Sequence, residues 1–228
     1  MDYYYMSYGL IILGSLIAFL AQLFIKLSYS KYKKVSNESR IKGCDVARYI
    51  LDKHNLKEVK VVETGGELTD HYDPTSKVVR LSTDIYHGDT IAGMAVAAHE
   101  CGHAIQDSVG YVMMRIRSKL VPIVNLSSYA GYIAIVLGFL FGLTNVVWIG
   151  VYCELAILLF QLVTLPVEID ASKRALKELK NWDKVERNEY HGSKVMLIAA
   201  ASTYVASVAT TLLQILRLVL IIGGKRRD

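Results

Sequence analysis

The amino-acid sequence predicts a mainly α-helical integral membrane protein. About four apolar helices accompany a small cytoplasmic α+β part, which combines a short antiparallel sheet with a histidine-bearing helix. The 228 residues are 53% hydrophobic and include only three prolines, and the mean hydropathy is +0.31. This composition is too apolar for an ordinary soluble domain of that length. The apolar residues also concentrate in long stretches, which leaves one large polar block at residues 30–119.

Residues 1–29 predict an uncleaved membrane span. No charged residue occurs from Tyr3 to Ile25, and a helix of that length covers a hydrocarbon core of about 30 Å. A cleaved signal peptide would carry positive charge before its apolar core, whereas the only charged side chain there is Asp2. The positive-inside rule predicts an N-terminus outside and a cytoplasmic chain from residue 30 onward. The lysines that follow the span are Lys26, Lys31, Lys33 and Lys34.

A membrane hairpin is predicted for residues 120–167, where the only charged residue is Glu154. One straight helix of this length would measure about 70 Å, twice the thickness of a bilayer core. The sequence GLTN at 142–145 predicts the turn. Both ends are expected to face the cytoplasm because basic residues flank them. These residues are Arg115, Arg117 and Lys119 before the hairpin, and Lys173, Arg174 and Lys177 after it.

The last apolar stretch, within residues 194–228, has an orientation that the sequence leaves open. Its small residues, such as Ala199 and Ser202, let helices approach closely. A simple crossing would place the tail GGKRRD outside, against the charge rule, so a buried or re-entrant helix is an alternative. A charged group at membrane depth usually has a partner. Arg217 in this stretch and Glu154 in the hairpin are therefore expected to pair.

Residues 30–119 are predicted to fold outside the membrane around a small sheet. Helically spaced apolar residues from Ile41 to Leu51 predict a helix over 43–54. The segments VKVVE and KVVRLS are typical of strands, and the turn-rich stretch TGGELTDHYDPTS separates them. We expect a two- or three-stranded antiparallel sheet. KVVRLS is either an edge strand that pairs with an extended peptide or ordinary sheet structure.

The segment VAAHECGHAIQ points most directly to chemistry. Asp89 or Thr90 is expected to cap a helix on which His99 and His103 stand one turn apart on the same face. Two imidazole nitrogens from one helix suit a tetrahedral zinc ion (Zn²⁺). Glu100 is placed to hold a metal-bound water and take its proton. The alternative is two surface histidines with an incidental glutamate between them. It is disfavoured because the preceding small apolar residues indicate a buried helix.

A third zinc ligand has to come from elsewhere in the chain. Asp107 lies roughly 12 Å along the helix from the first histidine, which leaves it at most a role outside the coordination sphere. Glu168 is a better candidate because it follows the hairpin on the side from which the chain entered the membrane. Pro166 is expected to start a cytoplasmic helix over 168–193, whose dipole would favour that carboxylate. Glu168 could instead only cap this helix, and Asp170 is the nearest rival.

Five segments share a likeness that covers nearly the whole chain. They are HYDPTSKVVRLSTDIYHG, VAAHECGHAIQD, LVPIVN, LFQLVTLPVEIDASKRAL and TYVASVATTLLQILRL. They resemble the YugP-like family of bacterial membrane zinc metallopeptidases. More distantly, an HExxH helix, a membrane hairpin and a later glutamate-bearing helix are similar to the HtpX-type and CAAX-prenyl membrane proteases, which carry out gluzincin chemistry on the cytoplasmic side.

The resemblance implies a zinc peptidase with a zincin-like cytoplasmic part. It implies His99, His103 and Glu168 as the zinc ligands and Glu100 as the general base. Ser172 stands where the more distant families carry an acidic residue. This departure leaves the ligand set intact but questions a supporting role for position 172.

The group that would stabilise the oxyanion is not obvious from the sequence. His71, within DHYDP, and Arg174 are candidates because each is near a proposed site element in sequence or topology. His71 could instead be a turn histidine beside two aspartates. Arg174 could instead be a positive anchor at the membrane surface.

The leading hypothesis is a multi-pass cell-membrane zinc metalloendopeptidase that faces the cytoplasm and acts on protein or peptide substrates. An intramembrane site-2-type protease is an alternative, disfavoured because the two histidines lie outside the longest apolar runs. A membrane scaffold or regulator with a structural zinc site is the alternative from another class. Such a site would be closed by a fourth protein ligand.

Other partners receive less support from the sequence. Nucleic-acid binding is not expected, because the basic residues cluster at span ends, where topology explains them. Cys44, Cys101 and Cys153 are too far apart in sequence to indicate a disulfide framework or a cysteine zinc site. The lipid bilayer is the one non-substrate partner predicted, and the sequence does not predict an oligomeric state.

Overall fold

The structure is a computed structural model that describes residues 2–224, and it is mainly helical. Within those residues the chain order is α1 Asp2–Tyr32, α2 Gly43–Lys53, β1 Lys60–Thr64, β2 His71–Asp73, β3 Val78–Ser82, α3 Thr83–His87, α4 Ile91–Ser108, α5 Val112–Leu140, α6 Thr144–Lys180 and α7 Arg187–Gly224. The basic end of the tail, on which the orientation of the last apolar stretch depended, lies outside the described residues.

Four helices are long and apolar enough to cross a membrane: α1, α5, α6 and α7. This confirms the number of apolar helices expected from the sequence. α5 and α6 are joined by residues 141–143, where Gly142 has a φ of 68° that suits glycine. The hairpin turn therefore falls where GLTN predicted it.

α6 runs through Pro166 without ending, so the expected start of a separate cytoplasmic helix at this residue is wrong. Proline lacks a backbone N–H and therefore removes one helical hydrogen bond, which a helix of 37 residues tolerates here. Glu168 consequently lies well inside α6 and not in a first helical turn. The favourable helix dipole expected for its carboxylate is absent.

The described chain forms two compact units. The first contains residues 2–22, 115–165 and 202–224, and the second contains residues 23–114 and 166–201. In the first unit, glycines allow the two hairpin helices to approach closely. A Cβ atom added to Gly150 would lie 2.3 Å from the Ile135 side chain, and one added to Gly131 would lie 2.7 Å from that of Cys153.

A cavity of about 350 Å³ in the first unit is lined by both charged side chains expected at membrane depth. Glu154 from α6 and Arg217 from α7 line it together with Ser15 and Gln214. Arg217 Nη1 contacts Gln214 Oε1 at 3.4 Å. Within residues 2–224, no ion pair joins Glu154 to Arg217, so the predicted direct pair is replaced by a shared polar cavity.

The second unit contains a mixed three-stranded sheet in the order β1-β3-β2. β1 is parallel to β3, with Lys60 opposite Val78, and β2 is antiparallel to β3, with His71 opposite Arg80. The all-antiparallel sheet expected from the sequence is therefore wrong, and KVVRLS is the central strand and not an edge. The turn-rich stretch itself supplies β2, whose tight hairpin with β3 leaves the other side of β3 to β1.

α4 is the buried helix of the second unit. Thr90 caps it by accepting the backbone N–H of Gly93 at 3.1 Å, as one of the two expected caps. Its Met94 shares a core with apolar side chains from α2 and β3, among them Ile50 and Leu81. α2, at Gly43–Lys53, ends one residue before its predicted end. The core thus holds the histidine-bearing helix on several sides.

Candidate metal centre

Three side chains from two helices of the second unit converge: His99 and His103 from α4, and Glu168 from α6. Glu168 Oε2 lies 3.2 Å from His99 Nε2 and 3.5 Å from His103 Nε2. The three ligand atoms all lie within 4.8 Å of one another. Ligand atoms about 2.0–2.1 Å from a tetrahedral zinc ion are about 3.3 Å apart. The donor set and its spacing therefore fit zinc.

The three side chains of the centre are largely buried, so a charge there is costly unless an opposite charge lies beside it. Glu168 is 3% exposed and His103 is 7% exposed, whereas His99 is half-buried. Burial acts to lower the pKa of His103, but its hydrogen bond with Glu168 and the nearby charge of Glu100 outweigh burial and raise that pKa. The carboxylates thus favour positive charge at the imidazoles, and a bound cation would satisfy the same need.

Each histidine has a second polar contact at Nδ1, on the ring side away from Glu168. His99 Nδ1 lies 3.2 Å from Ser172 Oγ, and His103 Nδ1 lies 3.0 Å from Gln106 Oε1. An Nδ1–H that donates to these oxygens leaves each Nε2 with a lone pair for a metal. Ser172 therefore contacts the centre despite its departure from the acidic residue of the distant families.

Gln106 is a residue that the sequence analysis missed. Its side chain is fully buried, and its Nε2 donates to the backbone oxygen of Val167 at 2.7 Å and to Asp170 Oδ2 at 2.9 Å. The signal was present in the sequence, because Gln106 follows His103 at a spacing that places both on one helical face. A polar side chain on the buried face of this helix also needed partners.

Gly102 allows the two ligand-bearing helices to touch. A Cβ atom at this position would lie 2.5 Å from the backbone oxygen of Ala171. α4 and the segment of α6 that follows Glu168 are therefore in backbone contact beside the candidate ligands. The sequence alone offered no reason to single out this glycine.

Glu100 is buried next to His99 on α4 and is 8% exposed. Across the described residues, the Glu100 carboxylate accepts no hydrogen bond and forms no ion pair. Its two oxygens are therefore left to accept hydrogen bonds.

Two other candidate residues contact different groups. Asp107 accepts a hydrogen bond from Tyr72 Oη at 2.8 Å and pairs with Lys77, so it ties α4 to the β2–β3 hairpin. Burial raises the pKa of Tyr72, and so does this hydrogen bond. His71 is exposed on β2, and its Nδ1 contacts the backbone oxygen of Thr69 at 2.7 Å. These residues lie outside the three-ligand group found in the described chain.

Arg174 lies one helical turn after Asp170 on α6. Its Nε donates to Asp170 Oδ2 at 2.6 Å, so Asp170 bridges Arg174 and Gln106. Asp170, the rival third ligand, thus binds two donors and lies outside the group that could hold a metal within residues 2–224.

Comparison with known proteins places this arrangement in context. A family model described as "Putative neutral zinc metallopeptidase" matches residues 7–223. The chain is 41% identical over 212 residues to "Putative membrane protease YugP" of Bacillus subtilis (strain 168), which covers 93% of this chain and 94% of that protein. No solved structure matches the chain.

Proposed function

This chain belongs to the family of neutral zinc metallopeptidases, and we propose that it hydrolyses peptide bonds with a zinc-activated water and Glu100 as the general base. One observation carries the proposal. The ligand atoms of His99, His103 and Glu168 lie within 4.8 Å of one another beside the open carboxylate of Glu100. Two histidines and a glutamate leave a fourth zinc position for water, as in gluzincin-like catalytic sites.

The residues of the chain have separate tasks in this reaction. A zinc ion held by the three ligands would lower the pKa of a coordinated water toward neutrality and polarise the substrate carbonyl. Glu100 would accept a proton from that water as the water oxygen bonds to the substrate carbonyl carbon, and it would return the proton to the amine nitrogen when the C–N bond breaks. Glu168 balances charge in a buried site, and the Nδ1 contacts of His99 and His103 hold the two imidazoles in place.

His71 and Arg174 are the two candidate oxyanion donors, and each already has one polar contact. His71 Nδ1 contacts the backbone oxygen of Thr69, and Arg174 Nε is bound to Asp170. Asp107 would act on the centre only indirectly, by fixing the last turns of α4 against the sheet through Tyr72.

We propose that the protein crosses the cell membrane several times with its N-terminus outside and its active site facing the cytoplasm. Four helices have the required length and apolarity, and the relative in Bacillus subtilis is named as a membrane protease. Lysines follow the first span, and basic residues flank the hairpin on both sides, as the positive-inside rule requires for this orientation. Its substrates would be proteins or peptides that reach this face.

Two other functions are less well supported. A scaffold with a structural zinc site would need a fourth protein ligand, and the group in the described residues has three. An intramembrane protease would carry its ligands within apolar spans. His99 and His103 lie on α4, which is not among the four candidate spans in the described chain. Glu168 does lie on the candidate span α6, but it follows the stretch that ends at Val167 and is uncharged apart from Glu154, and charged residues continue after it.

The decisive experiment measures zinc content and casein proteolysis side by side in detergent-purified wild type, Glu100→Gln and Glu168→Ala. We expect Glu100→Gln to retain zinc and lose proteolysis, because it keeps the ligands and removes the base. Glu168→Ala is expected to lose the metal. Zinc-loaded wild type that cleaves no faster than Glu100→Gln would instead support the scaffold.

A further inference from the structure

The side chain of Gln106 has restricted hydrogen-bonding roles because its two ends face different elements. Its Oε1 faces His103 Nδ1 on α4 at 3.0 Å. Its Nε2 faces the backbone oxygen of Val167 at 2.7 Å and the carboxylate of Asp170 at 2.9 Å, both on α6. The side chain is fully buried, so water cannot substitute for a lost contact.

The contacts on α6 determine which way the carboxamide points. A backbone oxygen and a carboxylate can only accept hydrogen bonds, whereas a carboxamide has one donating end and one accepting end. The donating Nε2 of Gln106 must therefore face Val167 and Asp170. Reversing the amide would set its oxygen against both acceptors. Oε1 is consequently left facing His103.

That orientation in turn selects the tautomer of His103. An amide oxygen 3.0 Å from Nδ1 requires a hydrogen on Nδ1. The neutral imidazole then has its lone pair on Nε2, the atom that lies 3.5 Å from Glu168 Oε2. The opposite tautomer would place a hydrogen on the metal-facing nitrogen and set two lone pairs against each other at Nδ1.

We infer that Gln106 is a positioning residue: it keeps His103 in the Nδ1–H tautomer whose Nε2 binds zinc. This inference rests on the proposed function, because it assigns a role around the same metal centre. It also links the two helices, since the acceptor that orients Gln106 is the backbone of Val167, directly before the ligand Glu168. When α4 packs against α6, Glu168 therefore comes next to His103, and the Gln106 amide fixes the tautomer of His103.

Ser172 provides a matched comparison at the other histidine. Its hydroxyl lies 3.2 Å from His99 Nδ1, but a hydroxyl can donate or accept and therefore does not select a tautomer. Ser172→Ala removes one contact to a ligand histidine without removing tautomer control. Gln106→Leu removes both from a side chain of similar size.

The test measures the zinc dissociation constant by chelator competition on the full-length detergent-purified protein. Gln106→Leu is expected to weaken zinc binding by about 10–100-fold, and Ser172→Ala by clearly less. The Co²⁺-substituted Gln106→Leu protein is expected to show a changed visible spectrum, because the ligand geometry changes. Zinc affinity of Gln106→Leu within about threefold of wild type would overturn the inference.

A second variant protects the test against misfolding, because Gln106→Leu leaves buried acceptors on α6 without donors. In Gln106→Glu, the neutral carboxyl group supplies both roles: one oxygen accepts from His103 Nδ1–H, and the O–H donates to the backbone oxygen of Val167. Burial and the neighbouring Asp170 carboxylate favour this neutral form. We expect this variant to bind zinc within about threefold of wild type. A folded Gln106→Glu protein that binds zinc as weakly as Gln106→Leu would overturn the inference.

The two proposals fail in different ways. Wild type that binds no zinc overturns the proposed function and the positioning role together. Wild type that binds zinc and cleaves casein, with unchanged zinc affinity in Gln106→Leu, overturns only the positioning role.

Discussion

The carboxylates near the candidate centre differ in what they contact, and this difference separates their roles. The Glu168 carboxylate contacts two imidazole nitrogens, as a shared metal ligand would. Glu100 is also buried but has no hydrogen-bond partner in the described residues, so its oxygens are left to accept a hydrogen bond. Asp170 and Asp107 are held by donors of their own. A buried carboxylate without a hydrogen-bond donor lowers the stability of the folded protein. Such a group is usually found where it takes part in binding or catalysis.

Shortening Glu100 tests its role without removing its charge. Glu100→Asp withdraws the carboxylate by about one bond length from a water held at the centre, so we expect proteolysis to fall by about 10²–10⁴-fold. Zinc content should equal that of wild type, because His99, His103 and Glu168 are unchanged. Casein cleavage rates and metal analysis of the same preparation provide the measurement. A variant that retains full activity would argue against Glu100 as the base.

At the scale of secondary-structure elements, the centre depends on the close approach of α4 to α6. Gly102 faces the backbone oxygen of Ala171, and Gln106 donates to the backbone oxygen of Val167. These contacts flank Glu168 on both sides along α6. The candidate ligands are thus held by close packing between the backbones of two helices and not by flexible loops. A preorganised metal site needs such rigid support.

Gly102→Ala should separate these two helices. The added Cβ would lie 2.5 Å from the oxygen of Ala171, which is backbone and cannot rotate away. We expect a loss of about 1–3 kcal/mol in the free energy of unfolding and weaker zinc binding. Thermal unfolding and chelator competition measure both effects. Gly65→Ala is the control, since nothing lies within 4 Å of its added Cβ. Equal behaviour of the two variants would refute the close-approach argument.

The contact between α4 and the sheet is expected to affect the stability of the fold and not zinc binding. Tyr72→Phe removes the hydrogen bond to the Asp107 carboxylate and is expected to cost about 1–3 kcal/mol of stability. Asp107 keeps its ion pair with Lys77, so the lower part of that range applies. Zinc affinity should stay within about twofold of wild type if Asp107 acts mainly on the fold. A selective loss of zinc affinity at unchanged thermal stability would show that Asp107 acts on the metal instead.

For the whole molecule, the apolar stretches and the polar segments alternate along the chain. The candidate ligands all belong to the unit of residues 23–114 and 166–201. The first unit, by contrast, holds the polar cavity with Glu154 and Arg217. Because the two histidines precede the hairpin and Glu168 follows it, the proposed topology requires both segments to be on the same side of the membrane.

Cysteine accessibility tests this topology. In a background without native cysteines, we expect Lys57→Cys in intact cells to resist a membrane-impermeant thiol reagent until the membrane is permeabilised. Leu143→Cys, in the hairpin turn between α5 and α6, should react without permeabilisation. Both positions are exposed on the protein, so membrane sidedness and not burial governs their labelling. The reverse labelling pattern would invert the proposed orientation.

The local parts of this structure were predictable because their signals repeat along a short stretch of chain. The spacing of His99 and His103, the cap at Thr90 and the hairpin turn at Gly142 depend on residues a few positions apart. The sheet was predicted less well. A three-residue strand such as His71–Asp73 has too few side chains to show an alternating pattern, and its insertion changes the pairing of both other strands.

By itself, the sequence determined the apolar helices, the turn between α5 and α6, and a helix that presents two histidines and a glutamate. Helical periodicity and hydropathy are properties of neighbouring residues, so no folded structure is needed to read them. Only the tertiary structure decided that α6 continues through Pro166, that Gly102 touches Ala171, and that Gln106 connects His103 to α6. These contacts join residues distant in sequence, and the orientation of a buried amide depends on acceptors that folding alone brings together.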